Sequence, residues 1–429
     1  MKFTLPRDAL PAVSLTKEQQ AAFIEEAEAV VRETVAANEE FLAGGATFRD
    51  PKWKLVRAKE GLNVYCERRS SKESAKANRA SPHHSNNPSW SFKRRGSDTP
   101  WSSSEGETSL SSIAGNTIQE KMKRPGVSML VLFGTVDGSL GDCMLGTFVP
   151  TNQAWIWRSS HIKDHFDDAR ILANIRRPTK KDPFQFLNIK WFAKEIPAVL
   201  SGFVQQRDYI LLEASGLTED SRGDTIGYYI LHSVPLPGFP EFSDKGIIRG
   251  QLSLCFIDRQ GGPGKVELYC RSFSDPAGDM IDRVNISIFA DSILSAAGVI
   301  DYAYIKKLTW LMKQKGVLQQ HGAGREDGAP RSTRCEACTK NFTKFALAGV
   351  GPGAPCHLCN RMMCGKCSVV KKMTVDVSDT GSVQRCALRF CLECLLKAKE
   401  QSVWEVVLSG VETSSEGSSV SDLGRLPPV

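Results

Sequence analysis

The segment CHLCNRMMCGKC, residues 356–367, places four cysteines within twelve positions. It decides the fold of the C-terminal region because it consists of two Cys-x-x-Cys pairs, called hooks below, only four residues apart. Two more hooks flank it, Cys335 with Cys338 before it and Cys391 with Cys394 after it. One hook directs two thiolates at one ion, and tetrahedral zinc takes two hooks. The pattern therefore predicts two zinc ions held by eight cysteines, namely Cys335, Cys338, Cys356, Cys359, Cys364, Cys367, Cys391 and Cys394.

The other cysteines and the charge also point to a separate C-terminal module. Nine of the 13 cysteines fall between Cys335 and Cys394, and the other four are scattered as small hydrophobic residues would be. Of the nine, only Cys386 belongs to no hook. Residues 331–400 carry 12 Lys and Arg against five Asp and Glu, a net charge of +7. This equals the formal net charge of the whole chain. A basic module indicates an anionic partner such as a membrane surface, a nucleic acid or an acidic protein.

Length and composition predict folded cytosolic domains for most of the chain. With 429 residues it is too long for one ordinary domain, and its 41% hydrophobic content is enough for a sizeable core. The first residues, MKFTLPRDALP, contain no apolar secretion signal, and no run of about 18 uncharged apolar residues predicts a membrane span. We therefore expect a cytoplasmic protein whose thiols stay reduced.

The region between residues 119 and 275 shows mostly strand patterns. Short apolar or alternating runs recur between Gly, Pro and Asp clusters, which favours an antiparallel sheet. These runs are SMLVLFGTV, DDARILANI, NIKWFAKEI, QQRDYILLEA, DTIGYYILHSV, IIRGQLSLCFID and GKVELYCRSF. Upstream, WKLVRAKEGLNVYCERR (residues 53–69) predicts two more strands around Glu60 and Gly61.

A long helix is predicted after the strands. Asp275 followed by Pro276 is a good helix start, and Lys315 with Gly316 fits a helix end. Between them, apolar residues recur every three to four positions. A curved antiparallel sheet closed by one long C-terminal helix is a helix-grip arrangement, so the predicted fold class is α+β. A sheet of this kind often encloses a cavity.

Three further segments are interpreted from their composition. Thr16 and Gln19 form a capping box for an amphipathic helix over residues 16–42. Residues 70–118 are rich in Ser and poor in aliphatic residues, which predicts a disordered insertion within a domain. HIKDHFDDAR (residues 161–170) is interpreted as a solvated charged turn before a strand rather than as a metal cluster. No catalytic motif is apparent, so no catalytic residue is predicted.

The spacing of the hooks resembles that of the FYVE-type zinc finger, which has the same x2, x4, x2 core. Spacing alone would also allow the two central hooks to share one ion. The resemblance instead implies a small FYVE/PHD-type cross-brace, with hooks one and three on one zinc ion and hooks two and four on the other. A RING finger cross-braces two zinc ions as well, but it has two residues rather than four before its third hook. A RING-like ubiquitin ligase component is therefore the alternative. Nothing resembles a DNA-recognition helix, so no nucleic acid partner is expected.

The lipid-binding motif of the FYVE family is largely missing. That family grips phosphatidylinositol 3-phosphate with a basic Arg-Arg-His-His-Cys-Arg motif, whereas residues 352–357 here are PGAPCH. Arg389 and His357 remain as candidate headgroup contacts. A phosphate bound by several charge-assisted hydrogen bonds loses much affinity when most of the donors are absent. Contact with phosphatidylinositol 3-phosphate membranes and contact with an unknown protein partner are therefore both open.

Residues 53–315 resemble START-like lipid-binding domains, and a C-terminal FYVE-type finger is a known companion of such a domain. The resemblance rests on KWKLVRAKEGLNVY, FDDARIL, RDYILLEASG, GYYILHSV and the long final helix, and it implies a cavity that holds one lipid or sterol. The predicted organisation is an N-terminal helix (1–45), a START-like domain (46–318) with the disordered insertion (70–118), a linker (319–333), a FYVE-like finger (334–408) and a disordered tail (409–429).

Together these features predict a non-enzymatic adaptor that binds zinc and lipid. The START-like domain would hold a lipid, and the finger would contact a membrane or a protein, which implies a cytoplasmic protein peripheral to endosomal membranes. An enzyme that uses the START-like cavity is the second alternative, since helix-grip cavities host cyclases and hydrolases in some families.

Overall fold

The computed structural model describes residues 10–48, 51–68, 117–162, 166–194, 204–321, 332–342, 353–378 and 382–415. Its helices are α1 (Lys17–Ala43), α2 (Ile118–Met122), α3 (Leu140–Thr147), α4 (Asn152–Ser159), α5 (Asp282–Leu294), α6 (Val299–His321), α7 (Leu392–Glu400) and α8 (Val403–Ser415), with 3-10 turns at Ser243–Lys245 and Ser295–Gly298. Its strands are β1 (Trp53–Lys59), β2 (Leu62–Glu67), β3 (Leu130–Asp137), β4 (Phe166–Arg176), β5 (Phe186–Lys194), β6 (Gln206–Glu219), β7 (Thr225–Ser233), β8 (Ile247–Arg249), β9 (Gln251–Gln260), β10 (Lys265–Asp275), β11 (Ala354–Pro355), β12 (Met362–Met363), β13 (Ser368–Val377) and β14 (Val383–Cys391).

Strands β1 to β10 form one sheet in the order β1-β2-β3-β10-β9-β7-β6-β5-β4. Every neighbour in this order is antiparallel, and the short β8 pairs in parallel with β6. The hairpin between β1 and β2 turns at Glu60 and Gly61, whose φ angles of 51° and 84° are left-handed, as a tight hairpin turn requires. The predicted α+β helix-grip fold, with an antiparallel sheet and C-terminal helices, is confirmed.

Both faces of the sheet are covered by helices. Along β9, Leu254 and Phe256 belong to the core beneath α5 and α6, whereas Cys255 and Ile257 belong to the core beneath α1. This alternation follows from the two-residue period of a strand. Helix α1 begins at the predicted capping box, in which Gln19 N donates to Thr16 Oγ1 at 3.2 Å and Thr16 N donates to Gln19 Oε1 at 2.9 Å.

The closing helix begins later than predicted. Asp275 is the last residue of β10 and lies opposite Gln251 in the ladder. Its carboxylate accepts a hydrogen bond from Ala277 N at 3.0 Å, and Ala277 has a left-handed φ of 50°. Asp275 therefore ends a strand with a local turn instead of capping a helix, and the helix starts at Asp282.

The closing helix is also interrupted and ends later than predicted. The 3-10 turn Ser295–Gly298 separates α5 from α6, and α6 continues through Gly316 to His321, into the segment predicted as a linker. Gly316 does not end the helix because it does not adopt a left-handed conformation. The span Asp282–Gly316 is long and apolar enough to cross a membrane by composition, with a mean hydropathy of 1.4 in its most apolar window. In the structure, this span covers the concave face of the sheet.

Both segments predicted as disordered contain some ordered residues. Thr117 caps α2, accepting a hydrogen bond from Glu120 N at 3.3 Å, so the last two residues of the predicted insertion belong to a helix and its cap. The rest of the insertion lies outside the described residues. The predicted tail begins inside α8, where Ser409 Oγ accepts a hydrogen bond from Trp310 Nε1 at 2.9 Å. This contact ties α8 to α6, and the helix continues to Ser415.

The cysteine module packs against the closing helix. Lys307 Nζ on α6 donates to the carbonyl oxygen of Lys399 on α7 at 3.1 Å, and Lys315 Nζ donates to the carbonyl oxygen of Leu358. On the other side of the module, β13 contacts the end of α4 through Thr374. The finger and the sheet domain therefore share an interface along α6 and α4.

Candidate functional sites: an apolar cavity and two cysteine clusters

The eight hook cysteines form two compact clusters. Cluster one contains the sulfur atoms of Cys335, Cys338, Cys364 and Cys367, and cluster two contains those of Cys356, Cys359, Cys391 and Cys394. In each cluster all the sulfur atoms lie within 4.8 Å of one another. These are the two sets that the cross-brace resemblance implies, because hooks one and three meet in one cluster and hooks two and four in the other.

The first two hooks have the same backbone turn. Thr339 N donates to the carbonyl oxygen of Cys335 at 2.7 Å, and Asn360 N donates to that of Cys356 at 2.8 Å. Thr339 and Asn360 have left-handed φ angles of 58° and 57°. A β-branched residue such as Thr rarely adopts this conformation, which persists only where the surrounding structure enforces it. The turn aims the backbone N–H groups and both thiols of a hook at one point.

The other two hooks are placed by the β13–β14 hairpin. Cys367 directly precedes β13, and Cys391 is both the last residue of β14 and the N-cap of α7. Ser368 lies opposite Cys391 in the ladder, so the pairing of these two strands holds hooks three and four side by side. Cys386 lies along β14 opposite Met373 and belongs to neither cluster.

The distances between the sulfur atoms fit a tetrahedral metal ion. The Cys338 and Cys364 sulfur atoms are 3.7 Å apart, and those of Cys359 and Cys391 are 3.8 Å apart. A tetrahedron with Zn–S bonds of about 2.3 Å has sulfur–sulfur edges of about 3.8 Å. Each cluster can therefore hold one metal ion, and four thiolates are a donor set compatible with zinc.

Hydrogen bonds around the clusters lower the pKa of Cys335 and Cys364 in cluster one and of Cys359 in cluster two. Burial raises the pKa of the Cys335 thiol, but backbone N–H groups outweigh it and lower the pKa to about 6. Burial likewise raises the pKa of Cys359, but Arg361, whose Nε donates to Cys359 Sγ at 3.5 Å, outweighs it and lowers the pKa to about 7. The pKa of Cys367 is raised to about 12 by hydrogen bonds to Cys338 and its other cluster neighbours. A bound cation would favour the thiolate form of all four cysteines in a cluster, so one deprotonated cysteine would no longer raise the pKa of its neighbours.

The two candidate headgroup residues lie next to each other. His357 N donates to the carbonyl oxygen of Arg389 at 2.9 Å, and Arg389 N donates to His357 Nδ1 at 3.2 Å. The imidazole of His357 is exposed, whereas the Arg389 guanidinium is partly buried and donates to Ser368 Oγ at 2.9 Å. Val370 lies opposite Arg389 in the hairpin and is 51% exposed. This edge of the finger thus combines a cation, a histidine and an exposed apolar side chain.

An apolar cavity lies between the concave face of the sheet and helices α3 to α5. Its wall includes Leu254 and Phe256 from β9 and Phe289 and Ile293 from α5. The cavity has a volume of about 150 Å³. An engineered cavity of that volume holds a benzene ring, so the present volume suits a short aliphatic chain or one ring. A whole sterol or two acyl chains would need more space.

Two cations connect the sheet to the structure that covers the cavity. Arg207 Nε donates to the carbonyl oxygen of Pro276 at 3.2 Å, and Lys194 Nζ donates to Ser292 Oγ at 3.2 Å. All four residues line the cavity. Movement of α5 away from the sheet would break the contact of Lys194 with Ser292, and the breaks at residues 276–281 and Ser295–Gly298 flank the segment that would move.

A fully buried ion pair lies behind the cavity wall. Lys190 and Glu213 form a salt bridge in which both side chains are 0% exposed. Glu213 also accepts a hydrogen bond from the Tyr229 hydroxyl at 2.7 Å, and Lys190 Nζ lies 4.1 Å from the centre of the Trp155 ring. Trp155 and Tyr229 line the cavity. Through the Tyr229 hydroxyl and the Trp155 ring, the cavity wall therefore contacts a charge pair that water does not reach.

Helix α4 is a functional element that the sequence interpretation missed. It contributes Trp155 and Arg158 to the cavity wall. Its N-cap is visible in the sequence, because Thr151 precedes NQAWIWRS and its hydroxyl accepts a hydrogen bond from Ala154 N at 3.1 Å. The helix was missed because it has only eight residues and lies between strands.

The segment interpreted as a solvated charged turn is partly buried instead. His161 Nδ1 contacts the carbonyl oxygen of Trp157 at 3.0 Å, and Thr374 N of the finger donates to His161 Nε2 at 3.3 Å. Burial lowers the pKa of His161, and the accepted hydrogen bond requires an unprotonated Nε2. Asp168, only 6% exposed, accepts a hydrogen bond from Ala169 N at 2.8 Å. Residues 163–165 of this segment lie outside the described ranges.

Comparisons with known proteins return structural matches only. No protein-family model matches the chain, and no curated protein matches it. Human StAR-related lipid transfer protein 5 is 15% identical, with 71% of this chain and 100% of that chain covered and a TM-score of 0.39. Human STARD10 is 10% identical, with 66% and 82% covered and a TM-score of 0.35. A fragment of a STAR-related lipid transfer protein from Xanthomonas axonopodis is 10% identical, with 58% and 99% covered and a TM-score of 0.33. At these similarities, the assignment of the fold depends on the strand order and closing helix described above.

Proposed function

We propose that this protein binds a lipid in the cavity beneath α5 and that its finger, with one zinc ion in each cysteine cluster, attaches it to a membrane or to a partner. The cavity supports this proposal most strongly. It is lined mainly by apolar side chains and enclosed by a curved sheet and a helix with a break at each end, which suits an apolar ligand that must enter and leave. We propose that the protein acts as an adaptor and not as an enzyme.

The cavity volume has a consequence for loading. Because about 150 Å³ accommodates only part of a lipid, a whole lipid would enter with an outward movement of α5. The contact of Lys194 with Ser292 on α5 would open in that step. Proteins commonly bury most of the ligand surface in such pockets, so apolar burial would supply the affinity and the few polar groups would supply selectivity.

Lipid capture from vesicles tests the cavity. The purified protein would be incubated with vesicles made from a lipid extract, re-isolated, and its bound lipid identified by mass spectrometry. Ala296 lines the cavity, and Ala296→Trp should fill it and abolish capture. Arg283→Trp adds the same side chain at an exposed position on α5 and should leave capture unchanged. Equal capture by both variants would contradict a ligand in this cavity.

The finger would contact an anionic membrane through its Arg389 edge. Arg389 and His357 offer a cation and a titratable imidazole, and Val370 offers an exposed apolar side chain beside them. Such a combination suits an interface that is charged at the surface and apolar just below it. We place the protein in the cytoplasm, on endosomal membranes that carry phosphatidylinositol 3-phosphate.

Vesicle sedimentation tests the membrane contact. The zinc-loaded protein should sediment more with vesicles containing phosphatidylinositol 3-phosphate than with vesicles containing phosphatidylinositol. Arg389→Ala should remove this preference, whereas Lys245→Ala, at an exposed cation on the sheet domain, should keep it. Equal sedimentation with both vesicle types would instead favour a protein partner for the finger.

A further inference from the structure

One acidic residue breaks the apolar row that faces the cavity. On β9, Leu252, Leu254, Phe256 and Asp258 occupy alternate positions and therefore share a face, and all four line the cavity. Asp258 is only 3% exposed. Its neighbours across the ladders are Gly227 on β7 and Leu268 on β10, neither of which has a polar side chain.

Only one oxygen of this carboxyl group has a partner. Cys143 Sγ on α3 donates to Asp258 Oδ2 at 3.1 Å. The described part of the chain provides no hydrogen-bond partner for Oδ1, which is buried. Burial raises the pKa of Asp258 to about 7, so its charge is poorly compensated.

Another buried carboxylate of the sheet is satisfied more fully. Asp208 accepts hydrogen bonds from Trp191 Nε1 at 2.7 Å and from Arg249 at 2.9 and 2.8 Å. Leaving a buried acceptor without a donor is costly, and natural proteins usually avoid it except where a ligand or water completes the site. Asp258 lines the apolar cavity, so a ligand bound there can supply the missing donor.

We propose, on the basis of the lipid-binding function above, that Oδ1 of Asp258 accepts a hydrogen bond from the hydroxyl group of a neutral, otherwise apolar ligand. A hydroxyl group has one donor, which matches the single unpartnered oxygen. It can also accept a hydrogen bond, so it suits the carboxyl group in either protonation state. An ammonium ion would bring three donors to a carboxyl group that has only one unpartnered oxygen. A phosphate or carboxylate would place a second anion against the first.

A pair of isomers tests this proposal. Octan-1-ol and 1-methoxyheptane have the same atoms and nearly the same shape, but only the alcohol can donate a hydrogen bond. Their affinities for the intact, zinc-loaded protein would be measured by titration calorimetry. We expect the alcohol to bind about tenfold more tightly, because a buried acceptor discriminates against a ligand that leaves it unpaired. A purely apolar cavity would favour the less hydrated ether.

Two variants complete the experiment. Asp258→Leu should reduce the affinity ratio to about one or reverse it in favour of the ether, since the acceptor is gone. Cys255→Ala should keep the ratio, because Cys255 lies on the same strand but faces the opposite core. Thermal unfolding would establish that both variants are folded.

The outcomes separate the two proposals. If both isomers bind and the ether binds as tightly as the alcohol, the role of Asp258 is refuted while the cavity remains a ligand site. An unchanged preference for the alcohol in folded Asp258→Leu also refutes it. If neither isomer and no lipid binds to the wild-type protein, the proposed cavity function itself fails. The wild-type affinity ratio is informative even if Asp258→Leu does not fold.

Discussion

Replacing Asp258 by Asn should stabilise the folded protein at high pH and have a smaller effect at low pH. In the folded protein, burial raises the pKa of this carboxyl group from 3.8 to about 7. A raised carboxyl pKa means that ionisation is more costly in the folded state than in the unfolded state. The wild-type protein should therefore lose stability as the pH rises from 3.8 to about 7, and the loss should level off above that value.

The size of the effect follows from the two pKa values. The full penalty at high pH is on the order of 4 kcal/mol, and about 2.5 kcal/mol of it develops between pH 5 and pH 8. The neutral amide of Asp258→Asn does not ionise, and its carbonyl oxygen can still accept the hydrogen bond from Cys143 Sγ. Between pH 5 and pH 8, the free energy of unfolding of the variant should therefore rise by about 2.5 kcal/mol relative to that of the wild type.

Urea unfolding of both proteins at half-unit pH steps, with zinc present and no added lipid, would measure this difference. Taking the difference between variant and wild type removes the contributions of the other titrating groups. Asp244→Asn, which removes an exposed carboxyl group, provides the control for loss of one negative charge. A difference that stays constant with pH, or that grows towards acid, would refute the reasoning about the burial of Asp258.

Three further sets of substitutions test other parts of the structure. Cys364→Ser and Cys391→Ser should each reduce the zinc content from two ions to one, and the double variant should bind none, because the two cysteines belong to different clusters; one zinc ion retained by the double variant in native mass spectrometry would place both cysteines at one site and contradict the cross-brace. Glu213→Ala should destabilise the protein by about 3 to 5 kcal/mol because it leaves Lys190 buried without its anion, whereas Glu213→Leu combined with Lys190→Met should be much less damaging. In chemical unfolding, equal losses for the single and double variants would show that the ion pair is not the cause. Gly146→Ala should destabilise by about 1 to 3 kcal/mol, since the added methyl group would meet the carbonyl oxygen of Val299 at 1.9 Å; a thermal midpoint equal to that of the wild type would rule out this close approach of α3 to α6.

The strands were predictable because their information is local. Alternation in QLSLCFID places Leu254 and Phe256 on one face and Cys255 and Ile257 on the other, and both faces prove to be covered. The turn at Glu60 and Gly61 was equally visible. The start of the closing helix was not, because Asp275 followed by Pro276 fits a helix cap as well as a strand end. Only the pairing of Asp275 with Gln251, which is a tertiary contact, decides between them.

The eight clustered cysteines were predictable as a set, and their pairing was not predictable from spacing. The four-residue gap between Cys359 and Cys364 would let the two central hooks share an ion. The β13–β14 ladder, in which Ser368 lies opposite Cys391, brings the third hook beside the fourth, and the cluster geometry follows from that pairing. The resemblance to a cross-brace finger implies the same arrangement.

Asp258, the proposed hydrogen-bond acceptor for a ligand, is only partly predictable from the sequence. Alternation along β9 already places Asp258 on the apolar face, so its unusual position could have been noticed. Whether its oxygens are satisfied depends on Cys143, which is 115 residues away along the chain. The interface between the finger and α4 also depends on a distant pair, His161 and Thr374, and no local pattern predicts it.

The measurement that tests the account most directly is native mass spectrometry of the gently purified intact protein after exposure to a lipid extract. It weighs bound metal and bound lipid in one experiment. The account predicts a mass increase equal to two zinc ions and one lipid, with the lipid lost and both zinc ions retained in Ala296→Trp. Two zinc ions with no lipid would contradict the proposed role of the cavity, and a protein without bound metal would contradict the assignment of the two cysteine clusters.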